Sequence, residues 1–571
     1  FLLYGKGGIL KMTNNFLVDY ALLFFKYTLL YFYFYLSGRS IVLAVTYFFK
    51  KELKAPEEIL YVKKEYLYPI IGAASLGNFF IILHFFIPLK SPIYIIFSLL
   101  LILPNIFLKP KEINIKLSLQ NFIFYILIPG ILIISSYDTT WHYDAGYYHL
   151  NHQNLLRESN MIIGSVNIFW AYGISSIYEY ISAFLWIDTS FILIHFLALI
   201  FIQTFYIYLI ANLENSKYKE LKFVSYFILV YSLFDNFGIN GGRNGFLYIQ
   251  GVTKQDMPVA VLIVIVSLSC LVILKHKKIK NIDIFTLFLI SLFVVQIKLS
   301  SVVVGYLLII VLVFMYRNKI KTFKEIIFSI FLILPFLTAW IVKGYFTTGC
   351  FLFPLSSTCI NNFDWYPENS TRSMESVTTN FSYGLIEYLN QSISILDWWN
   401  ILISIRINMT VMTNFLASFL VVYFFKKILF RAITPSKTLM LTIFSFITLY
   451  FVYLFLYGPT PRYATGLLIL SIASMAFFVD DFKFKINKKV SLLFYIFSIV
   501  LLIRSSSYAA FLSGSNIAIF DPVIIAKYQK VQNGWVIPDE GDQCWINLKC
   551  TMEKQPAIIN EENFYKTAYK K

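Results

Sequence analysis

The sequence predicts an all-α polytopic membrane protein of roughly 12–14 transmembrane helices with extracytoplasmic loops and a small C-terminal extracytoplasmic tail. Three observations predict it. The 571-residue chain is 58% hydrophobic and 19% aromatic, far too apolar for a chain that buries its core from water alone. Uncharged apolar runs of about 17–20 residues, the length that crosses a hydrocarbon core, recur from one end to the other. Lysine and arginine, which give a formal charge of +17, gather in short clusters between those runs and form no single basic domain. That distribution is topogenic and argues against nucleic acid as a partner.

Taken in order, the candidate spans are 16–35, 67–86, 91–108, 118–135, 190–212, 222–236, 256–274, 283–297, 299–316, 326–342, 408–425, 438–457, 464–479 and 490–503. Residues 37–49 extend the first helix, re-enter the membrane or form a further short span. The absence of an initiator and the composition of Gly8–Lys11 point to Met12 as the natural start, with residues 1–11 a reading-frame extension.

Orientation follows from the alternate loops, because basic residues in short loops are retained in the cytoplasm. Loops 49–66, 109–117, 213–222, 275–282, 317–324, 426–437 and 480–489 are Lys- and Arg-rich; the intervening connections carry little more than Lys90, Arg243, Lys254, Lys298 and Arg462. The long polar segments then fall on the outer side. The chain divides into N-terminal helices (1–135), a first outer loop (136–189), central helices (190–342), a second outer loop (343–407), C-terminal helices (408–503) and an outer tail (504–571). Four of the five cysteines lie in those outer segments, where an oxidising compartment allows disulfides. Two local bridges are expected, Cys350 with Cys359 and Cys544 with Cys550, leaving Cys270 alone in a span.

The densest polar cluster is Tyr137–His152, which follows the fourth span and holds His142, His149 and His152. A carboxylate just outside the membrane among aromatic rings can serve as a general base with a raised pKa, and Asp144 and Asp138 are the candidates. His149 and His152 share a face of any helix that begins after Gly146; that face could pair with Asp144 or take a divalent ion such as Mg or Mn. No further carboxylate completes a metal-ligand spacing, and an aromatic belt with polar tips accounts for the same stretch structurally. Arg243, Lys254, Asp256, Lys298 and Arg462 also fall on the outer side, at the depth where a polyprenyl phosphate presents its oxygens. Each of those cations is equally a snorkelling helix-end charge. No glycine-rich phosphate loop or nucleophile elbow appears, and the cytoplasmic loops are too short for a nucleotide-binding domain.

This layout resembles the GT-C superfamily of glycosyltransferases. More narrowly, it is similar to a bacterial family of polytopic proteins encoded with surface-polysaccharide genes, in which an Asp-Thr-x-x-Tyr-His-Leu-like stretch follows an early span. The matching residues are Asp144-Ala145-Gly146-Tyr147-Tyr148-His149-Leu150, with Ala145 standing where the family has threonine. The likeness continues through Asp256-Met257-Pro258, Ile297-Lys298-Leu299-Ser300, Phe351-Leu352-Phe353-Pro354-Leu355, Pro461-Arg462-Tyr463 and Asp542-Gln543-Cys544-Trp545 with Cys550. The resemblance implies a protein of the bacterial inner membrane, its large loops and tail periplasmic, that moves a sugar from a polyprenyl-phosphate carrier to a surface glycan or lipid-linked acceptor. Asp144 would be the base, with Asp138 or His149 assisting, and Arg243, Lys298 and Arg462 would hold the phosphate, near Asp256, His142 and His152. A surface-polysaccharide polymerase and a flippase are the competing classes; the latter would call for internal repeats, and none is evident.

Overall fold

The computed structural model describes residues 16–50, 56–107, 118–137, 139, 141–187, 191–236, 252–360, 362–363, 365–368, 371–372, 374–375, 394–397, 400, 437–457, 466–467, 469–471, 473–478, 511, 527–530, 534–552, 557–562 and 565–569. In order these form α1 (Phe16–Lys50), a short hairpin β1 (Glu58–Ile59) and β2 (Val62–Lys63), α2 (Tyr68–His84), α3 (Pro92–Ile102), α4 (Pro104–Phe107), α5 (Leu119–Phe122) and α6 (Ile128–Ile133). There follow α7 (Leu150–Glu158), α8 (Ile177–Leu185), α9 (Ile192–Asn215), α10 (Lys219–Asn236), α11 (Asp256–His276), α12 (Asn281–Ile297), α13 (Val304–Arg317) and α14 (Phe323–Thr348). Next come α15 (Lys437–Tyr457), β3 (Tyr528–Lys530), β4 (Val536–Pro538), β5 (Ile558–Glu562) and β6 (Tyr565–Tyr569).

Among the described residues six helical stretches are long and apolar enough to cross a membrane: Leu17–Phe49, Leu119–Tyr137, Ile192–Asn215, Asp256–His276, Leu299–Arg317 and Phe323–Thr348. With four shorter apolar helices, Tyr68–His84, Pro92–Ile102, Asn281–Ile297 and Leu439–Tyr450, they make a mostly helical, polytopic integral membrane protein. Residues 37–49 continue α1 as one helix. The predicted spans 408–425 and 490–503 lie outside the described residues.

Packing explains the helix pattern. α11 sits in the middle of the bundle, its apolar window wholly buried, whereas α14 has only 22% of its window buried and turns Phe323, Ile327, Phe331 and Leu334 outward. A helix apolar on both faces belongs at a lipid boundary. α1 and α2 cross where Gly38 meets Gly72. A Cβ added to Gly38 would fall 1.9 Å from Tyr68 O, and one on Gly72 2.0 Å from Phe34 O, so only glycine lets these backbones touch.

The helices have two chemically distinct ends. At one end the basic loops meet each other: Lys217 pairs with Glu58 at 3.1 Å, Lys275 with Glu220 at 2.8 Å, and Leu60 N donates to Asp283 Oδ1 at 2.9 Å. At the other end the long polar segments interlock. Met161 N donates to His84 O at 3.0 Å, Gly164 N to Phe346 O at 2.8 Å, and Ile163 N to Lys566 O at 2.9 Å. To this mostly helical fold the tail adds two antiparallel hairpins, β3–β4 and β5–β6. Both expected disulfides are present, Cys350–Cys359 and Cys544–Cys550, and Cys270 is buried as a free thiol.

Candidate functional site

Where the first polar segment, the tail and the start of α11 converge, Asp144 opens a π-helical turn, Ala145–His149, that leads into α7. Such turns widen a helix by one residue and so re-aim its side chains. The turn is roofed by the tail. Trp545 N donates to Gly146 O at 2.9 Å, and a Cβ on Gly146 would lie 2.8 Å from the Trp545 ring, so glycine lets the tail lie this close. Asn151 Nδ2 donates to Asn547 O at 2.7 Å and Asn154 Nδ2 to Ile546 O at 2.9 Å, fastening the Cys544–Cys550 loop along α7.

Asp144 itself is half-buried and engaged by cations. Lys254 Nζ donates to its Oδ2 at 2.9 Å. His142 Nδ1 lies 3.3 Å from the same oxygen and 3.1 Å from Asp144 N. That nitrogen can serve one partner at a time: unprotonated, it accepts the backbone N–H; protonated, it donates to the carboxylate. Burial by itself would raise the Asp144 carboxyl, but the His142 hydrogen bond and the Lys254 charge outweigh it and hold the group far below the usual carboxylate range. This corrects the expectation of a raised pKa. The aromatic surroundings are present, with Trp141, Tyr143 and Tyr147 close by, yet they do not exclude a lysine ammonium from the carboxylate.

Two residues beyond Lys254, Asp256 begins α11 and pairs with Lys298, which follows α12. The positive end of the α11 dipole also favours a carboxylate there. Carboxylates and ammonium groups therefore alternate at the helix ends, Asp144 with Lys254 and Asp256 with Lys298. Lys298 is thus held by a protein carboxylate, not left open as an anion site.

His149 and His152 do share a face, but the fold turns it inward, away from Asp144. His149 Nδ1 donates to Glu179 Oε1 at 2.5 Å and His152 Nδ1 to Glu179 Oε2 at 2.6 Å, all three side chains buried. Since a carboxylate only accepts, both Nδ1 atoms carry protons in these bonds. Desolvation would raise Glu179; the charge of His152 and the hydrogen bonds from both imidazoles bring it instead to about 2. His152 also stacks on Tyr172, with ring centroids 5.0 Å apart. Nearby, Lys343 Nζ donates to Ser175 O at 2.7 Å and stands 4.0 Å over the Trp340 ring. Among the described residues no group of three or more His, Cys, Asp or Glu side chains is disposed to hold a metal ion.

Sequence reasoning missed Glu179. Ser176 and Glu179 form a capping box at the start of α8, and a carboxylate inside the apolar run Ile177–Leu185 was the available signal. Asp138, Arg243 and Arg462 lie outside the described residues.

No curated protein and no solved structure matches the chain. Residues 21–469 match the family described as a domain of unknown function, DUF8201, and the chain belongs to that family.

Proposed function

We propose that the chain is a GT-C-like membrane glycosyltransferase that moves a sugar from a polyprenyl-phosphate carrier to a surface glycan or lipid-linked acceptor. The reaction would run on the extracytoplasmic side, which in a bacterium is the periplasmic face of the inner membrane. The reading is supported above all by Asp144, a carboxylate held ionised at one end of the bundle, under a disulfide-closed tail, with Lys254 at 2.9 Å and the Asp256–Lys298 pair beside it.

In this reading Asp144 receives the proton of the acceptor hydroxyl as that oxygen bonds to the anomeric carbon, while the bond from that carbon to the phosphate oxygen breaks. The electron pair leaves with the polyprenyl phosphate. A carboxylate of low pKa suffices, because the attacking hydroxyl becomes strongly acidic once its oxygen begins to share electrons with the sugar. Holding the anionic leaving group would require Lys254 to leave Asp144 and Lys298 to leave Asp256, with Arg243 and Arg462 as further phosphate ligands. Drawing Lys254 from Asp144 toward phosphate would also raise the basicity of that carboxylate at the moment it is needed.

The test is glycan analysis in cells carrying Asp144→Asn. Transfer should be abolished with membrane insertion intact. Unchanged glycan would reject the assignment, and loss of chain length with the first sugars still added would favour a polymerase.

A further inference from the structure

Among the described aromatic side chains around Asp144, Tyr143 is the exposed one, with 53% of its surface open. An exposed ring ordinarily swings freely. This one is fixed three times over. Its ring stacks on Tyr147, with centroids 5.8 Å apart and planes at 25°. Its hydroxyl donates to Asp542 of the tail, and its carbonyl accepts from Gln543 Nε2 at 3.3 Å. Tyr147 in turn packs edge-on against Phe169 at 5.2 Å and Trp170 at 6.2 Å, so the exposed ring is the outermost layer of an aromatic pile rooted in a buried cluster.

We propose that the outer face of Tyr143 is a saccharide subsite that seats the pyranose ring of the acceptor. Its role as acceptor site rests on the transferase reading, whereas the binding itself does not. The C–H bonds on one face of a pyranose carry slight positive charge and meet the negative face of an aromatic ring, while its rim of hydroxyls seeks acceptors. Asp542 at the tyrosine hydroxyl and Asp144 next in the chain supply such acceptors, and the Gln543 amide at the Tyr143 carbonyl supplies a donor. Two flanking carboxylates disfavour a phosphate headgroup or a nucleic acid on the same ring. Because ring, hydroxyl and backbone are already immobilised, a ligand need not order them, which favours binding to a small surface. Pairing the tail with this ring would also make the acceptor site complete only when the tail is docked.

The experiment is binding of the full-length protein in detergent to a printed array of pyranose oligosaccharides and bacterial surface glycans. It compares wild type with Tyr143→Ala, Tyr143→Phe and Asp144→Asn. Wild type should retain at least one saccharide. Tyr143→Phe, which keeps the ring and drops only the hydroxyl bond, should bind it nearly as well. Tyr143→Ala should bind about tenfold more weakly. No saccharide retained by wild type, full binding by Tyr143→Ala, or equal loss in Tyr143→Phe and Tyr143→Ala would each overturn the proposal. The two readings separate cleanly: Asp144→Asn that still transfers sugar sinks the transferase and leaves the subsite, while binding indifferent to Tyr143 sinks the subsite alone.

Discussion

Lys254 Nζ rests 2.9 Å from Asp144 Oδ2, and this contact joins the first polar segment to the start of α11, whose apolar window is wholly buried. The carboxylate proposed to do chemistry is therefore also a structural tie. Lys254→Met leaves Asp144 half-buried with its main cation gone and should lower stability by about 1–3 kcal/mol. The thermal unfolding midpoint in detergent reads the loss, and Asp144→Asn with Lys254→Met should recover part of it.

Glu179 should prove harder to replace. Glu179→Leu strands two buried Nδ1 donors, each costing about 1–3 kcal/mol, and the variant is expected to accumulate poorly or unfold well below wild type. Normal yield and an unchanged midpoint would contradict the structure.

The same residue sets an acid limit. Its carboxyl titrates at about 2 in the fold against 4.5 as the ordinary value. A depressed acid contributes stability that is whole above its unfolded pKa and fades as pH falls toward the folded one. Stability should thus decline between about pH 4.5 and pH 2, more steeply in wild type than in Glu179→Gln. Parallel curves for the two proteins, measured by unfolding midpoint against pH, would show that Glu179 is not the group responsible.

Gly146 carries the contact between tail and helix. In Gly146→Ala the new methyl would lie 2.6 Å from Gln543 Oε1 and 2.8 Å from the Trp545 ring, forcing the tail outward. The expected cost is about 1–3 kcal/mol, with faster limited proteolysis of residues 527–552 as the readout.

Much of this architecture was legible because lipid imposes a simple grammar. A span must be long, apolar and helical, which is why Ile192–Asn215 and Asp256–His276 could be placed nearly to their ends. The disulfides were legible for a comparable reason, since Cys350 and Cys359, like Cys544 and Cys550, are close enough in sequence to meet whatever the surrounding fold. The interior of the site was not legible. His149 and His152 announce a shared helical face, but which way that face turns depends on α8, whose Glu179 lies 27 residues beyond His152. The charge state of Asp144 depends on Lys254, 110 residues away in sequence, and local surroundings alone suggested the opposite shift. The β3–β4 hairpin escaped notice because its strands are three residues each, too short for an alternating pattern to register.

The proposed chemistry requires the Asp144 turn to face the outer side of the membrane. The most direct measurement is labelling of Tyr143→Cys in intact cells with a membrane-impermeant maleimide. The position is exposed, the native disulfide cysteines are already bonded, and Cys270 is buried, so the new thiol alone should react. Rapid labelling without permeabilisation is the predicted result. Labelling only after the membrane is opened would place the turn in the cytosol and contradict the proposed chemistry.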